Sequence, residues 1–216
     1  MTRYIKFILL LTLVLFCSGY TGKWISVKRV VDGDTIVLAN GKHVRYIGIN
    51  APETAHDLAP PEPLGYKSKA FNKKLVLTKK KIRLAFDKER FDHYGRLLAY
   101  VYTKKGLFVN LEMVKNGYAH VLYKKPNTKH HNRLLEAQRL AMKKGRGIWR
   151  LSPERLKGTK PYLGNKRSRR FHAVQCPFGK KTAPNNRIRF ISRWDAFWNG
   201  YAPCKKCIPH LNLQKE

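Results

Sequence analysis

The stretch Arg45-Tyr46-Ile47-Gly48-Ile49-Asn50-Ala51-Pro52-Glu53-Thr54 constrains this 216-residue chain more than any other. It begins as an apolar strand, carries a cation at its head, and ends in a proline turn beside a carboxylate. The chain on either side alternates short strand-like runs with turn signals. Residues 24–31 and 35–38 flank Asp32-Gly33-Asp34, a turn cluster in which Gly33 is free to take a positive φ. Asn40-Gly41 then joins residues 35–38 to 43–49 as a hairpin. Residues 81–86 and 97–102 are two further strands around an exposed connection, 87–96.

Three helices accompany these strands. Residues 51–63 hold four prolines and no apolar period, so they form a loop. A helix follows over 67–77, with Ala70, Phe71 and Leu75 as its apolar side. Residues 108–116 give a short helix closed by Gly117. Residues 118–123 are irregular or extended, and Pro126-Asn127-Thr128 offers the cap for a helix over 129–144. That helix puts Leu134, Leu135, Gln138, Ala141 and Met142 on one side, and Gly145 ends it. The expected class is α+β: a five-stranded barrel of the oligonucleotide-binding (OB) type with three helices, over residues 24–150. Residues 151–170 are too rich in Pro, Gly, Lys and Arg to fold alone and are expected as a basic linker.

Charge narrows the partner. Forty-five Lys and Arg against 13 Asp and Glu give a formal net charge of +32. Such a field favours a polyanion through counterion release and steering. A basic protein lying on anionic membrane would share that charge, but it would need none of the groups that follow. Arg45 and Arg96 sit beside apolar strand residues that would hold them rigidly, and a guanidinium can donate two bonds to one phosphate. Glu53, fixed by Pro52, is the carboxylate available to polarise water. Asp34 is a hard oxygen donor suited to Ca²⁺ or Mg²⁺. The competing reading pairs Arg45 with Glu53 and Arg96 with Asp92 as surface ion pairs of little worth.

Over residues 24–149 the chain resembles the thermonuclease (staphylococcal nuclease) family. The motifs that carry the likeness are Val31-Asp32-Gly33-Asp34-Thr35, Arg45 to Thr54, Asp92 to Tyr102, Gly117 to Tyr123 with the following Lys-Pro-Asn-Thr, and Glu136-Ala137-Gln138 through Ile148-Trp149. The resemblance implies a barrel nuclease that cleaves DNA and RNA with Ca²⁺ and leaves 3′-phosphate ends. It implies Asp34, residue 50 and the Ala51 carbonyl as calcium ligands, with Asp32 behind them. Arg45 and Arg96 would grip the phosphate, and Glu53 would be the general base. Tyr94 and Tyr123 resemble the family's nucleotide-packing tyrosines, and each fits a half-buried core tyrosine equally well. One departure matters: Asn50 stands where the family's calcium site has an aspartate. The site loses a formal negative charge, so calcium affinity should fall or the preferred divalent ion should change. The rival class is a non-catalytic nucleic-acid-binding protein on the same barrel.

Residues 171–210 carry a second set of ligands. His172-x3-Cys176 and Cys204-x2-Cys207 supply four donors in two pairs, the count and type a tetrahedral Zn²⁺ wants. The alternative is a Cys204–Cys207 disulfide, which leaves Cys176 unpaired. The module resembles the small zinc module at the amino end of the bacterial DNA-alkylation-repair methyltransferase. There a methyl-accepting cysteine stands where this chain has His172, so metal binding and DNA contact carry over and repair does not. Arg167, Arg169, Arg170, Lys180, Lys181, Arg187 and Arg189 crowd beside Phe171, Phe178, Phe190, Trp194 and Trp198. The cations suit phosphates, whereas most of the rings are expected in a small core.

Residues 1–19 read as a signal peptide: Arg3 and Lys6, an apolar run over 7–16, then Cys17-Ser18-Gly19. The run is short for a stable span, so no membrane span is expected once it is removed. A lipidated Cys17 is the alternative to cleavage after Gly19. The expectation is an exported monomer, periplasmic or extracellular, acting on DNA with RNA as a second candidate.

Overall fold

The hairpin at Asn40-Gly41 forms as expected. Gly41 holds a φ of 81°, and β2 (Thr35–Leu38) runs antiparallel to β3 (His43–Tyr46) with Thr35 opposite Arg45. The structure is a computed structural model that describes residues 23–55, 59–78, 81–150 and 160–208. The expected signal peptide, residues 1–19, lies outside the described residues.

β1 (Ile25–Val30) pairs with β2 through a shift of register between Val27 and Arg29, the mark of a bulge. β4 (Ile49–Asn50) leaves the barrel to pair with β7 (His120–Val121). β5 (Lys81–Ala85) and β6 (Leu97–Thr103) are antiparallel, β6 runs parallel to β3, and β5 returns to β1. The closed order β1-β2-β3-β6-β5 leaves no sheet edge. Ile36, Val44, Tyr46, Ile82, Ala99 and Val101 fill it and are all but inaccessible to solvent. Each large apolar side chain buried this way contributes about 1.5–3 kcal/mol. The barrel thus outweighs the local preferences of its short strands.

The three expected helices are present: α1 (Gly65–Leu77), α2 (Val109–Lys115) and α3 (His131–Lys143). The expected buried side of α1 is corrected. Ser68, Asn72 and Val76 face inward, while Phe71 and Leu75 are only partly buried. The reason is polar. Asn72 accepts from the Tyr46 hydroxyl (2.9 Å) and donates to the Asp32 carbonyl (3.0 Å), and Ser68 donates to the Tyr118 carbonyl (2.7 Å). Gly33 is also read differently. It does not take a positive φ; a Cβ there would lie 1.9 Å from Ser68 Oγ, so close approach of the turn to α1 demands glycine. Asn127 does not cap α3, whose cap position is His130. It instead exchanges two 2.8 Å bonds with the backbone of Glu89 and ties down the connection before β6.

A second sheet follows: β8 (Tyr162–Asn165), β9 (Arg170–Ala173), β10 (Arg187–Phe190) and β11 (Ala202–Pro203), in the order β10-β8-β9-β11. Two short helices, α4 (Pro177–Lys180) and α5 (Arg193–Trp198), complete it. The expected linker over 151–170 is therefore too long. Residues 151–159 lie outside the described residues, but Tyr162 to Asn165 form a central strand, because Tyr162 gains a buried place against Phe171. The sheet has no core of its own. Phe171, Phe190, Phe197 and Tyr201 pack with Ala141, Met142, Ile148 and Trp149 from the end of the barrel region in one buried cluster. Phe171 and Phe190 are core rings as expected, whereas Phe178 is 54% exposed.

Candidate active site and metal centre

The parallel register of β3 and β6 puts Val44 opposite Leu97 and Arg45 opposite Leu98, so Arg96 arrives beside the head of β3. Both arginines line one cleft of about 610 Å³, together with Asp32, Asn50, Glu53, Asp92 and Tyr94. Asp34 does not line the cleft; it is buried, 5% exposed, and reaches the cleft residue Arg45.

Arg45 is held from within. One terminal nitrogen donates to the carbonyls of Tyr46 and Ile49, both at 2.9 Å. The other donates to Asn50 Oδ1 at 3.1 Å and meets Asp34 Oδ2 at 3.0 Å. This fixes the plane of the guanidinium. Asp34 also accepts from the Ala51 N–H (2.6 Å) and from Thr35 Oγ1 (3.2 Å). Burial nevertheless pushes its carboxyl up to about 8, with Asp32 and Glu53 adding like charge against the opposing effects of Arg45 and the Ala51 N–H.

Asn50 presents its oxygen to Arg45 and its amide nitrogen towards the Ala51 carbonyl (3.4 Å) and His120 Nε2 (3.5 Å). His120 Nδ1 lies 2.9 Å from the Val121 carbonyl, so Nδ1 carries the proton and Nε2 accepts. Burial holds this imidazole down to about 4, in its neutral form. Asp34, Asp32, Asn50 and the Ala51 carbonyl are all oxygen donors. Asp32 and Glu53 add like charge to the burial that disfavours ionisation of Asp34, an environment a hard divalent cation would relieve, so the set fits calcium.

Arg96 is organised by Asp92, a residue the sequence offered only as an ion-pair partner. Asp92 Oδ2 takes Arg96 Nε at 2.8 Å and a terminal nitrogen at 2.7 Å, while Oδ1 accepts the N–H groups of Tyr94 and Arg96. Burial opposes ionisation of this carboxyl, but the Arg96 bonds prevail and hold it below the usual value. Tyr94 is 73% exposed beneath the Arg96 guanidinium, open to a base or sugar. Tyr123 does not join the cleft. It packs against His131 and Arg169 and lines a neighbouring depression with Arg167 and Arg170.

Glu53 is pinned through its backbone. Its carbonyl accepts from the Glu62 N–H (3.0 Å), its own N–H donates to Glu62 Oε2 (3.1 Å), and Gly65 passes so close to the carbonyl that a Cβ would sit 2.1 Å away. The carboxylate, one-third exposed, reaches into the cleft and meets Lys205 Nζ at 3.4 Å. Lys205 and Arg170, both from the second sheet region, line the same cleft. Neither was singled out as a cleft residue by sequence reasoning, and no local pattern joins them to residues 45–53.

His172, Cys176, Cys204 and Cys207 bring one ligand atom each to within 4.8 Å of one another. The three cysteines are free, so a Cys204–Cys207 disulfide is not formed. Cys176 Sγ lies 3.5 Å from His172 Nδ1. Burial pushes the Cys207 thiol up to about 12, whereas the N–H groups of Gly179 and Phe178 help to hold Cys176 below its usual value despite its own burial. One imidazole and three sulfurs at this separation suit a tetrahedral Zn²⁺, which would displace the remaining protons.

A staphylococcal nuclease homologue family model matches residues 43–151. A thermonuclease of Staphylococcus hyicus is 41% identical over 124 residues, covering 56% of this chain and 72% of that protein. A thermonuclease of Staphylococcus intermedius is 40% identical over 126 residues, covering 57% and 74%. Endonuclease YhcR of Bacillus subtilis (strain 168) is 36% identical over 199 residues, covering 81% of this chain but 16% of its own length.

Proposed function

The chain belongs to the staphylococcal nuclease family and is a nuclease, and from that premise we propose that it hydrolyses DNA, and RNA as a second substrate, with calcium at Asp34, Asn50 and Ala51. The observation that carries this reading is the convergence of Arg45, Glu53 and Arg96 on one cleft, each held by its own set of hydrogen bonds or ion pairs. Arg45 and Arg96 hold the non-bridging oxygens of the scissile phosphate and offset the charge that grows on them during attack. Glu53 takes a proton from water as its oxygen bonds to phosphorus. The phosphorus–O5′ bond breaks, the 5′ oxygen takes a proton from solvent water and leaves as a hydroxyl, Glu53 returns its proton to solvent, and the phosphate stays on the 3′ end. Bound calcium would add positive charge beside the same phosphate oxygens. Tyr94 stacks on the substrate from the rim.

The second sheet holds a structural zinc through His172, Cys176, Cys204 and Cys207, and its cations extend the nucleic-acid surface. Export under a signal peptide over residues 1–19 completes the reading. Among the described residues, no helix is long and apolar enough to cross a membrane. The test is incubation of purified protein with DNA and RNA, with calcium, with other divalent ions and with chelator. Calcium-dependent cleavage to 3′-phosphate ends supports the reading. Binding without cleavage under every metal would leave the non-catalytic alternative.

A further inference from the structure

Lys205 lies between the two cysteines of Cys204-x2-Cys207, yet its ammonium reaches Glu53 rather than the surface of its own module. Arg170 opens β9 and faces the same cleft, its guanidinium held by the Pro203 carbonyl at 3.1 Å. Both depend on one short piece of architecture. β11 pairs in parallel with β9, Ala202 opposite Arg170 and Pro203 opposite Phe171. The Cys204 N–H then donates to the Phe171 carbonyl, and the Ile208 N–H closes the turn on the Cys204 carbonyl. His172 is two residues beyond Arg170 on β9, and Cys204 immediately precedes Lys205. A metal on His172, Cys176, Cys204 and Cys207 therefore staples the strand that carries Arg170 to the turn that carries Lys205.

The charges of the cleft give these two cations a task. Arg96 is committed to Asp92, so much of its charge is balanced before substrate arrives, and Arg45 is already engaged by the Tyr46 and Ile49 carbonyls, Asn50 and Asp34. Lys205 is 65% exposed and its pair with Glu53 is long and solvated, a contact that is weak and easily exchanged. A phosphate entering the cleft offers that ammonium a stronger partner, and the exchange frees Glu53 for water.

We propose that the second sheet completes the nuclease site: Lys205 and Arg170 bind phosphates of the nucleic-acid strand in the cleft, and the His172/Cys176/Cys204/Cys207 metal centre holds them there. This rests on the nuclease reading of the cleft, and it makes zinc occupancy a determinant of substrate affinity at a site that contains no zinc ligand.

The test compares the full-length protein with Lys205→Ala, Lys205→Arg and Lys206→Ala, at fixed calcium, on one single-stranded DNA oligonucleotide. Lys206 is an exposed neighbour outside the cleft, so it controls for net charge. Lys205→Ala should raise KM about tenfold, leave kcat within about twofold, and lower the slope of log affinity against log salt by about one, the signature of a lost phosphate contact. Lys205→Arg should recover most of the loss, and Lys206→Ala should match the parent. Equal losses in Lys205→Ala and Lys206→Ala, or an unchanged KM, would overturn the proposal.

Oligonucleotide affinity is also measured by fluorescence anisotropy without calcium, so the proposal is decided even if no variant cleaves. In that event the nuclease reading fails, while a lower affinity for Lys205→Ala still upholds the phosphate contact. Stripping zinc from the parent should weaken binding at least as much as Lys205→Ala does, zinc returned should restore it, and stripping Lys205→Ala should cost less than stripping the parent. Equal further loss in both proteins, or a parent that contains no zinc, would overturn the metal's part.

Discussion

Gln138 donates its side-chain amide to the Phe197 carbonyl over 2.6 Å, and so joins the last helix of the barrel to the last helix of the second sheet. Its other end accepts from the Val121 N–H, also at 2.6 Å, on the strand that pairs with β4. Gln138 is wholly buried, so neither contact has water as a substitute. One side chain thus satisfies a backbone group on each side of α3. The aromatic cluster below it, Trp149 against Phe197 and Phe197 against Phe171, makes the same connection in apolar terms.

Gln138→Leu is the sharpest probe of that joint. It strands a buried N–H and a buried carbonyl, each costing about 1–3 kcal/mol. We expect a loss of about 2–6 kcal/mol in urea unfolding, with the transition still single. Trp149, Trp194 and Trp198 fluorescence and nuclease activity should be lost together. Two separated transitions would show that the halves fold independently and that the shared core is a loose contact.

What could be read from sequence divides along physical lines. The inward residues Leu134, Gln138, Ala141 and Met142 of α3 follow from helical spacing, and the Asn40-Gly41 hairpin follows from turn chemistry, because both signals are local. That α3 serves two cores is not local, since Gln138 meets Phe197, 59 positions later, and Ala141 and Met142 join the same distant cluster. Apolar spacing does not find Ser68 and Asn72, because burial of a small polar side chain depends on the backbone groups it meets, not on its own hydropathy. The catalytic candidates stood out because Arg45, Glu53 and Arg96 sit in dense local motifs. Lys205 sits 152 positions from Glu53, and only the fold brings them together.

Glu53→Gln keeps the size of the side chain and removes the base. Turnover should fall at least ~10²-fold, the usual scale for a general base, with oligonucleotide affinity largely retained. Single-turnover cleavage beside an anisotropy titration separates the two effects. Near-parental turnover would remove Glu53 from the chemistry.

Asp92→Asn tests whether Arg96 needs its orienting carboxylate. Only 4% of that side chain is exposed, and both oxygens are engaged. We expect kcat/KM to fall about tenfold, because a bidentate cation misplaced by a fraction of an ångström loses much of its value. The carboxyl titrates below its usual 3.8, so it contributes stability at pH values above 3.8 that is lost as pH falls through the lower folded-state value. The variant should therefore lose less stability than the parent on acidification across that window. Parallel acid-unfolding curves would remove Asp92 as a source of this dependence.

Asn50→Asp restores a carboxylate beside Asp34. The neutral amide now accepts from Arg45 without adding charge. An aspartate should tighten calcium binding and shift the midpoint of calcium-dependent cleavage to lower concentration. An unchanged midpoint in a calcium titration of both proteins would mean that residue 50 does not act on the metal.

Cys204→Ser tests the metal centre and its reach. Were the two regions joined only by a linker, loss of zinc would be confined to the second module. The shared cluster changes that expectation. Without its metal, the turn at residues 204–207 keeps only its backbone bonds to Phe171 and within itself, and we expect the packing of Phe171 and Ile208 in the shared cluster to loosen. Met142 and Trp149 belong to the same cluster, so the loosening should reach the barrel side. We expect zinc to fall from one equivalent to none by elemental analysis, and proteolysis to enter first within residues 160–208. The melting temperature of the whole chain should drop by several degrees, about 2–4 °C for each kcal/mol lost at this size. Removing zinc from the parent with a chelator should reproduce the shift, whereas the same chelator should leave Cys204→Ser unmoved. A parent without zinc, or one whose mass spectrum carries a Cys204–Cys207 disulfide, would replace the metal by a redox pair. A Cys204→Ser protein that loses zinc but melts like the parent would mean that the core shared through Phe197 and Trp149 stands without the centre.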